Sequence, residues 1–149
     1  MRNLSQFKSP IRGTDARYGY FLYNQFDQYV GRCLELYGEY CEAELHFFRS
    51  LIKPEDVVWE IGANIGSQTV PISQIANKGM VYAFEPQLEV FKLLCANLAI
   101  NVCEIVIRLW MALSDKAGEI ELPNVNYHQP SNFGTVSLME VTVCQTKEL

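Results

Sequence analysis

Along the chain the apolar residues change spacing in a regular alternation. Across 41–52, Leu45, Phe48, Leu51 and Ile52 recur three and four apart, with Glu42, Glu44 and Arg49 offset from that stripe, which predicts a helix. Lys53-Pro54-Glu55-Asp56 ends it, because proline cannot continue the ladder. Val57-Val58-Trp59-Glu60-Ile61 is a short, nearly continuous apolar run, the pattern of a strand buried on both faces. Gly62-Ala63-Asn64-Ile65-Gly66 interrupts it, 67–77 reads as a helix, and Met80-Val81-Tyr82-Ala83-Phe84 as a second strand stopped by Glu85-Pro86. The clearest helix covers 87–101, with Leu88, Phe91, Leu94, Cys95 and Leu98 on one face. Residues 105–107 and 109–113 offer a third strand, broken around Arg108. Strand alternating with helix is the grammar of an α/β fold, a parallel sheet covered by helices.

The flanks are less regular. Arg17-Tyr18-Gly19-Tyr20-Phe21-Leu22-Tyr23 alternates enough for a short strand or hairpin arm. The first forty residues hold six of the eight tyrosines. Residues 1–34 carry five basic and two acidic groups, whereas 35–60 carry seven acidic and two basic ones. Bases of a nucleic acid stack on aromatic rings, but an arm packed over the domain as a lid for its pocket is the preferred reading of 1–40. Beyond Gly118, 119–122 and 135–143 look strand-like, and 123–132, rich in Asn, Pro and Ser, is a loop between them.

Composition narrows the function classes. With 49% hydrophobic and 19% charged residues, the 149-residue chain is globular in type and not disordered. A formal charge of −5 and a pI near 5.0 give no global attraction for nucleic acid or anionic membrane. No apolar run reaches the ~18–20 residues of a membrane span, and the opening residues lack the apolar stretch of a signal peptide. A cytoplasmic protein with neither membrane nor nucleic-acid partner is expected. The five cysteines, Cys33, Cys41, Cys95, Cys103 and Cys144, include no C-x-x-C pair, and His46 and His128 are the only histidines. Reduced thiols and no metal site are expected. His46, beside the apolar stripe of its helix, reads as structural.

The chemistry concentrates at Glu60-Ile61-Gly62-Ala63-Asn64-Ile65-Gly66, on a strand-to-helix turn. Glycines let backbone bend sharply and approach a ligand, and a helix start presents free N–H donors. Glu85, about twenty positions on at the end of the next strand, suits the hydroxyls of a ribose. An adenosine-containing cofactor is implied, and charge decides which. A dinucleotide would set a doubly negative pyrophosphate over this turn, where Asn64 obstructs close approach and Glu60 repels it. S-adenosylmethionine brings a sulfonium and an ammonium group, which an acidic strand end attracts. A nicotinamide dehydrogenase is therefore disfavoured. Glu60 capping the loop by accepting N–H bonds is compatible with binding of the methyl donor, so that role does not rescue the dinucleotide.

Val57-Val58-Trp59-Glu60-Ile61-Gly62-Ala63-Asn64-Ile65-Gly66, followed by Thr69-Val70-Pro71, resembles the first motif of FkbM-type methyltransferases, and Ala83-Phe84-Glu85-Pro86 their second. Gly38-Glu39-Tyr40, Leu94-Cys95-Ala96-Asn97-Leu98 and Asn132-Phe133-Gly134-Thr135-Val136-Ser137-Leu138 fit as well. The resemblance implies a class I methyltransferase fold, a Rossmann-like doubly wound sheet, using S-adenosylmethionine to O-methylate a sugar or natural-product hydroxyl. It places Glu60, Gly62, Ala63, Asn64 and Gly66 at the methionine end, Glu85 on the ribose, and Ala112-Leu113-Ser114-Asp115 near the adenine. Gln68 stands where many relatives carry histidine.

Family members continue into a strand ending in a motif like Ile-Lys-Ile-Asp-Val-Glu-Gly, which has no counterpart in these 149 residues. The expected organisation is an arm over 1–40 and an incomplete cofactor-binding domain over 41–149, the N-terminal half of the fold. The first sheet strand is then left with a free edge: the chain is a fragment, or 135–143 fills the gap, or another chain does by self-association. The sequence names no catalytic base, since His128 and Asp115 read as a loop histidine and a turn aspartate. A cofactor-binding module without catalysis is the alternative class.

Overall fold

The computed structural model describes residues 9–136. It opens with an antiparallel hairpin, β1 (Ile11–Ala16) and β2 (Gly19–Asn24), in register from Ile11 opposite Asn24 to Ala16 opposite Gly19. Arg17 and Tyr18 form its turn, so of the alternating stretch 17–23 only 19–23 is strand. The next element, α1 (Val30–Tyr37), is one the apolar spacing does not predict. Asp27 organises its start by accepting from the N–H groups of Tyr29 (3.0 Å) and Gly31 (2.9 Å). Gly38, at φ +68°, ends it in the left-handed conformation that favours glycine.

The alternation of helix and strand follows: α2 (Glu42–Leu51), β3 (Val57–Ile61), α3 (Thr69–Ile75), β4 (Met80–Phe84), α4 (Leu88–Ile100) and β5 (Val106–Leu109). The three strands are parallel in the order β3-β4-β5. Both crossovers step the same way across the sheet, so right-handed connections place α3 and α4 on one face. There Val81, Ala83 and Val106 pack in one core with Val70, Ile72, Leu94 and Leu98. The opposite face is uncovered along β3 among the described residues: Val57, Trp59 and Ile61 are 61%, 61% and 68% exposed, whereas Phe84 beside Ile61 is buried. β3 is therefore not buried on both faces. Among the described residues it is an edge strand whose alternate side chains meet no covering layer.

Several boundaries differ from the expectation. α3 is shorter than 67–77, because 66–68 still belong to the turn. β5 runs unbroken through Arg108, which is exposed and interrupts no burial. The chain then leaves the sheet, so 110–113 is not strand, and the Trp110 indole donates to the Pro86 carbonyl (2.8 Å). Residues 119–122 form no strand either. Thr135 closes a single 3₁₀ turn (Phe133–Thr135), and the rest of the strand expected over 135–143 lies, past Val136, outside the described residues. On α2, Leu45 is buried whereas Leu51 and His46 are exposed, which removes the structural role expected for His46.

On α4 the buried face is Val90, Leu94, Asn97 and Leu98, rotated from the expected stripe so that Leu88 is exposed. The rotation has a cause. Fully buried Asn97 accepts from Leu22 N (2.7 Å) and donates to Leu22 O (3.0 Å) and Ile65 O (2.8 Å). One turn on, Asn101 repeats the pair with Tyr20 N and O. The outer edge of β2 is thus tied to α4 by two asparagines, and each backbone group left unpaired there would cost about 1–3 kcal/mol. No helix among the described residues is long and apolar enough to cross a membrane.

Candidate functional site

The turn after β3 is bent by three left-handed residues, Gly62 (φ +82°), Asn64 (φ +52°) and Gly66 (φ +86°). Gly62 N and Ala63 N both donate to Phe84 O (2.9 Å each), which folds the turn against the end of β4. Nothing lies within 4 Å of where a Cβ on Gly62 would stand, so the backbone there is open to a ligand. Gly66 serves another purpose. A Cβ there would come 2.9 Å from Leu94 Cδ1, so this glycine lets the start of α3 pack on α4.

Glu85 braces this corner. Its Oε2 accepts from Asn64 N (3.0 Å) and its Oε1 from Gln87 N (2.8 Å), joining the two turns that leave β3 and β4. Burial raises its carboxyl above the usual range, and these two N–H donors oppose the rise. Each oxygen keeps a lone pair for a further donor.

Two adjoining cavities open here. The first, about 170 Å³, is lined by Gly62, Phe84, Glu85, Met111, Ala112 and Leu113, among others, and is largely apolar apart from Asn64, Glu85 and Gln87. The second, about 240 Å³, is polar and includes Glu44, Glu60, Ala63, Ser67, Gln68 and Asn132. Gly62, Asn64 and Gly134 line both. No lysine, arginine or histidine among the described residues lines either one. Of the sequence-derived candidates, Glu60, Gly62, Ala63 and Asn64 meet at the polar cavity, and Gly62, Asn64, Glu85, Ala112 and Leu113 at the apolar one. Gly66 lines neither.

Glu60 is the anomaly of the site. Its Oε2 is buried without a hydrogen-bond partner, as is the neighbouring Thr69 hydroxyl. Burial pushes the Glu60 carboxyl up to about 7, partly opposed by Thr69. At the rim, Gln68 Nε2 donates to Glu44 Oε2 (2.7 Å), and Tyr40, whose hydroxyl burial and Cys41 push up to about 12, forms part of the wall. Cys41 itself holds a left-handed φ of 53° at the start of α2.

No protein-family model matches the sequence, and no curated protein matches it. Solved structures do. TYW2 of P. horikoshii in complex with MeSAdo superposes with a TM-score of 0.55 at 21% identity, over 74% of this chain and 39% of that one. TYW2 of M. jannaschii in complex with AdoMet gives 0.54 at 20% identity, over 68% of this chain and 43% of that one. The chain has a class I methyltransferase fold. It spans about two-fifths of the length of these solved structures. In this Rossmann-like fold the two cavities lie at the carboxyl ends of the parallel strands, where open α/β sheets bind their ligands.

Sequence reasoning missed the segment that roofs the site. Asn132, Gly134 and Thr135 line the polar cavity, and Gly134 and Val136 the apolar one. Asn132 Oδ1 accepts from Gly134 N (3.0 Å), an Asx turn that the Asn-x-Gly spacing signals. His128 lies on a third cavity with Ile11, Val90 and Leu93, which shares Asn64 with the other two but is lined by neither Glu60 nor Glu85, and Asp115 lines none of the three.

Proposed function

We propose that this chain binds S-adenosylmethionine in the paired cavities and uses it as a methyl donor toward a hydroxyl of a sugar or natural product, free or within a glycan. The observation that carries the reading is the unpartnered Glu60 Oε2 in a polar cavity that no basic residue lines among the described residues, next to the cavity that holds Glu85. The cofactor's methionine end carries an ammonium and a sulfonium group, which would supply the missing donor and the missing charge. A pyrophosphate in the same place would lie between two carboxylates, with no basic side chain among the described residues lining either cavity, which weighs against a nicotinamide dinucleotide.

On this reading Glu60, Ala63 and Asn64 hold the methionine end, and Gly62 allows the ligand to pass close to the backbone. Glu85 accepts from the ribose hydroxyls, and Ala112 and Leu113 flank the adenine. Gly66 contributes by packing the turn. The cofactor, when bound, supplies an electrophilic methyl group for in-line displacement by an acceptor oxygen. The chain's own residues fix its orientation and exclude water. No residue is assigned as the base that takes the hydroxyl proton. The hydroxyl class of the acceptor rests on the resemblance of 57–66 and 83–86 to the motifs of FkbM-type methyltransferases. Val30 and Tyr40 in the wall of the polar cavity support 1–40 as a lid and 41–149 as the cofactor domain. The single neighbour of β3 among the described residues supports association through that edge.

The two-fifths coverage of the solved structures favours a second reading, a cofactor-binding module without turnover of its own. Calorimetric titration with S-adenosylmethionine, S-adenosylhomocysteine and NAD, followed by turnover assays on hydroxyl acceptors, separates the possibilities. Binding of both S-adenosyl ligands with turnover is expected. Binding without turnover, where a longer chain is active, selects the module, and binding of NAD alone overturns both.

A further inference from the structure

The loop 125–136 crosses the open end of β3 and β4 as a strap held at both sides. On the hairpin side Asn24 Nδ2 donates to Tyr127 O (2.9 Å), Ser131 N to Phe26 O (3.0 Å) and Gln28 N to Ser131 O (2.9 Å). On the other side everything converges on one buried residue, Gln87. Its Nε2 donates to Phe133 O (2.8 Å), and its Oε1 accepts from the Tyr127 hydroxyl (3.0 Å). Its own backbone N–H donates to Glu85 Oε1. The Tyr127 and Phe133 rings, 4.9 Å apart between centroids, fill the space beneath.

From this anchor the chain delivers Gly134 over the junction of the two cavities. A Cβ there would stand 3.1 Å from Asn64 Nδ2 and 3.3 Å from Asn132 Oδ1, so the strap passes closer to the β3 turn than a side chain fits without a shift of its neighbours. A ligand occupying both cavities would pass beneath Gly134, where the two join.

We propose that Gln87 is a positioning residue that latches this strap over the bound S-adenosyl ligand, its two side-chain hydrogen bonds setting how slowly the ligand escapes. The proposal rests on the function proposed above. A glutamine is required because one partner is an acceptor and the other a donor. Methionine would fill the same space and make neither bond. Glutamate would keep the acceptor but set a carboxylate oxygen against the Phe133 carbonyl.

The test uses the full chain and two readouts, amide hydrogen exchange without ligand and stopped-flow dissociation of S-adenosylhomocysteine. In Gln87→Met, exchange across 127–136 rises while 57–61 and 88–100 keep their protection. Ligand dissociation speeds up roughly tenfold, with association within about twofold of the wild type. Tyr127→Phe, which removes one hydroxyl, gives roughly a threefold faster dissociation and decides the question should Gln87→Met fail to fold. Unchanged exchange across 127–136, or faster exchange with unchanged dissociation, overturns the latch alone. A wild-type chain that binds no S-adenosylhomocysteine overturns the proposed function and the latch together.

Discussion

Glu60 and Glu85 sit at the ends of adjacent parallel strands, and burial raises both carboxyls, yet the fold treats them differently. Glu85 accepts two backbone N–H groups and joins two turns, so much of its desolvation cost is offset within the protein. Glu60 has an oxygen with no partner at all. An unsatisfied buried polar atom costs about 1–3 kcal/mol, a cost that a donor from outside can repay. The pair separates two jobs: Glu85 braces the site from within, and Glu60 keeps an oxygen free for a donor from outside.

Replacing each acid and its neighbours should bring out that contrast. The largest effect is expected from Glu85→Ala, which strands the N–H groups of Asn64 and Gln87. A loss of about 2–4 kcal/mol in chemical denaturation is expected, together with weaker binding of S-adenosylhomocysteine. Unchanged stability would remove its bracing role. Gly66→Ala forces a Cβ toward Leu94 at a left-handed φ and should cost about 1–3 kcal/mol. Because Gly66 lines neither cavity, ligand affinity measured on the folded fraction should stay within about threefold.

Glu60→Gln should act in the opposite direction on stability. The folded carboxyl is raised to about 7, above its unfolded value, so the folded chain binds the extra proton and loses stability as pH rises from about 5 to 7. Solvent reaching the half-buried residue reduces the effect to the order of 1 kcal/mol. The glutamine variant flattens that slope in melts recorded across pH and is at least as stable as the wild type at pH 8. Its ligand affinity nevertheless falls roughly tenfold or more. The smallest effect belongs to Asn64→Gly, which gains a permissive left-handed residue but loses the Asn64 Oδ1 to Ile65 N bond. A melting experiment should place it within about 0.5 kcal/mol of the wild type.

How legible each element was depended on what stabilises it. α2, β3, β4 and α4 are marked by apolar spacing and by Pro54, Gly62 and Pro86, and all four form close to where that pattern puts them. β1 was missed because Ile11–Ala16 is polar and half exposed, held by pairing with β2 and not by burial. α1 was missed because it is short and carries Gly31, and its organiser, Asp27, precedes it by three residues. The apolar run of β3 misled about burial, since a covering layer depends on where the rest of the chain lies. In the site, Glu60, Gly62, Asn64 and Glu85 were legible because strand, turn and acid follow one another in sequence. Gln87 and Gly134 were not. Their meeting depends on backbone carbonyls and on a strap arriving from some forty-six positions away, which no residue type announces.

The most direct test of the account is calorimetric titration of the chain with S-adenosylhomocysteine at pH 6 and pH 8, in buffers of different ionisation enthalpy. An ammonium group seated against Glu60 selects its anion. Binding should therefore tighten roughly tenfold between the two pH values and release a proton near pH 7, and both signatures should vanish in Glu60→Gln. Equal affinity at both pH values with no proton release, or a Glu60→Gln variant that binds as the wild type does, would contradict the assignment of Glu60 as the residue that receives the ligand's cation.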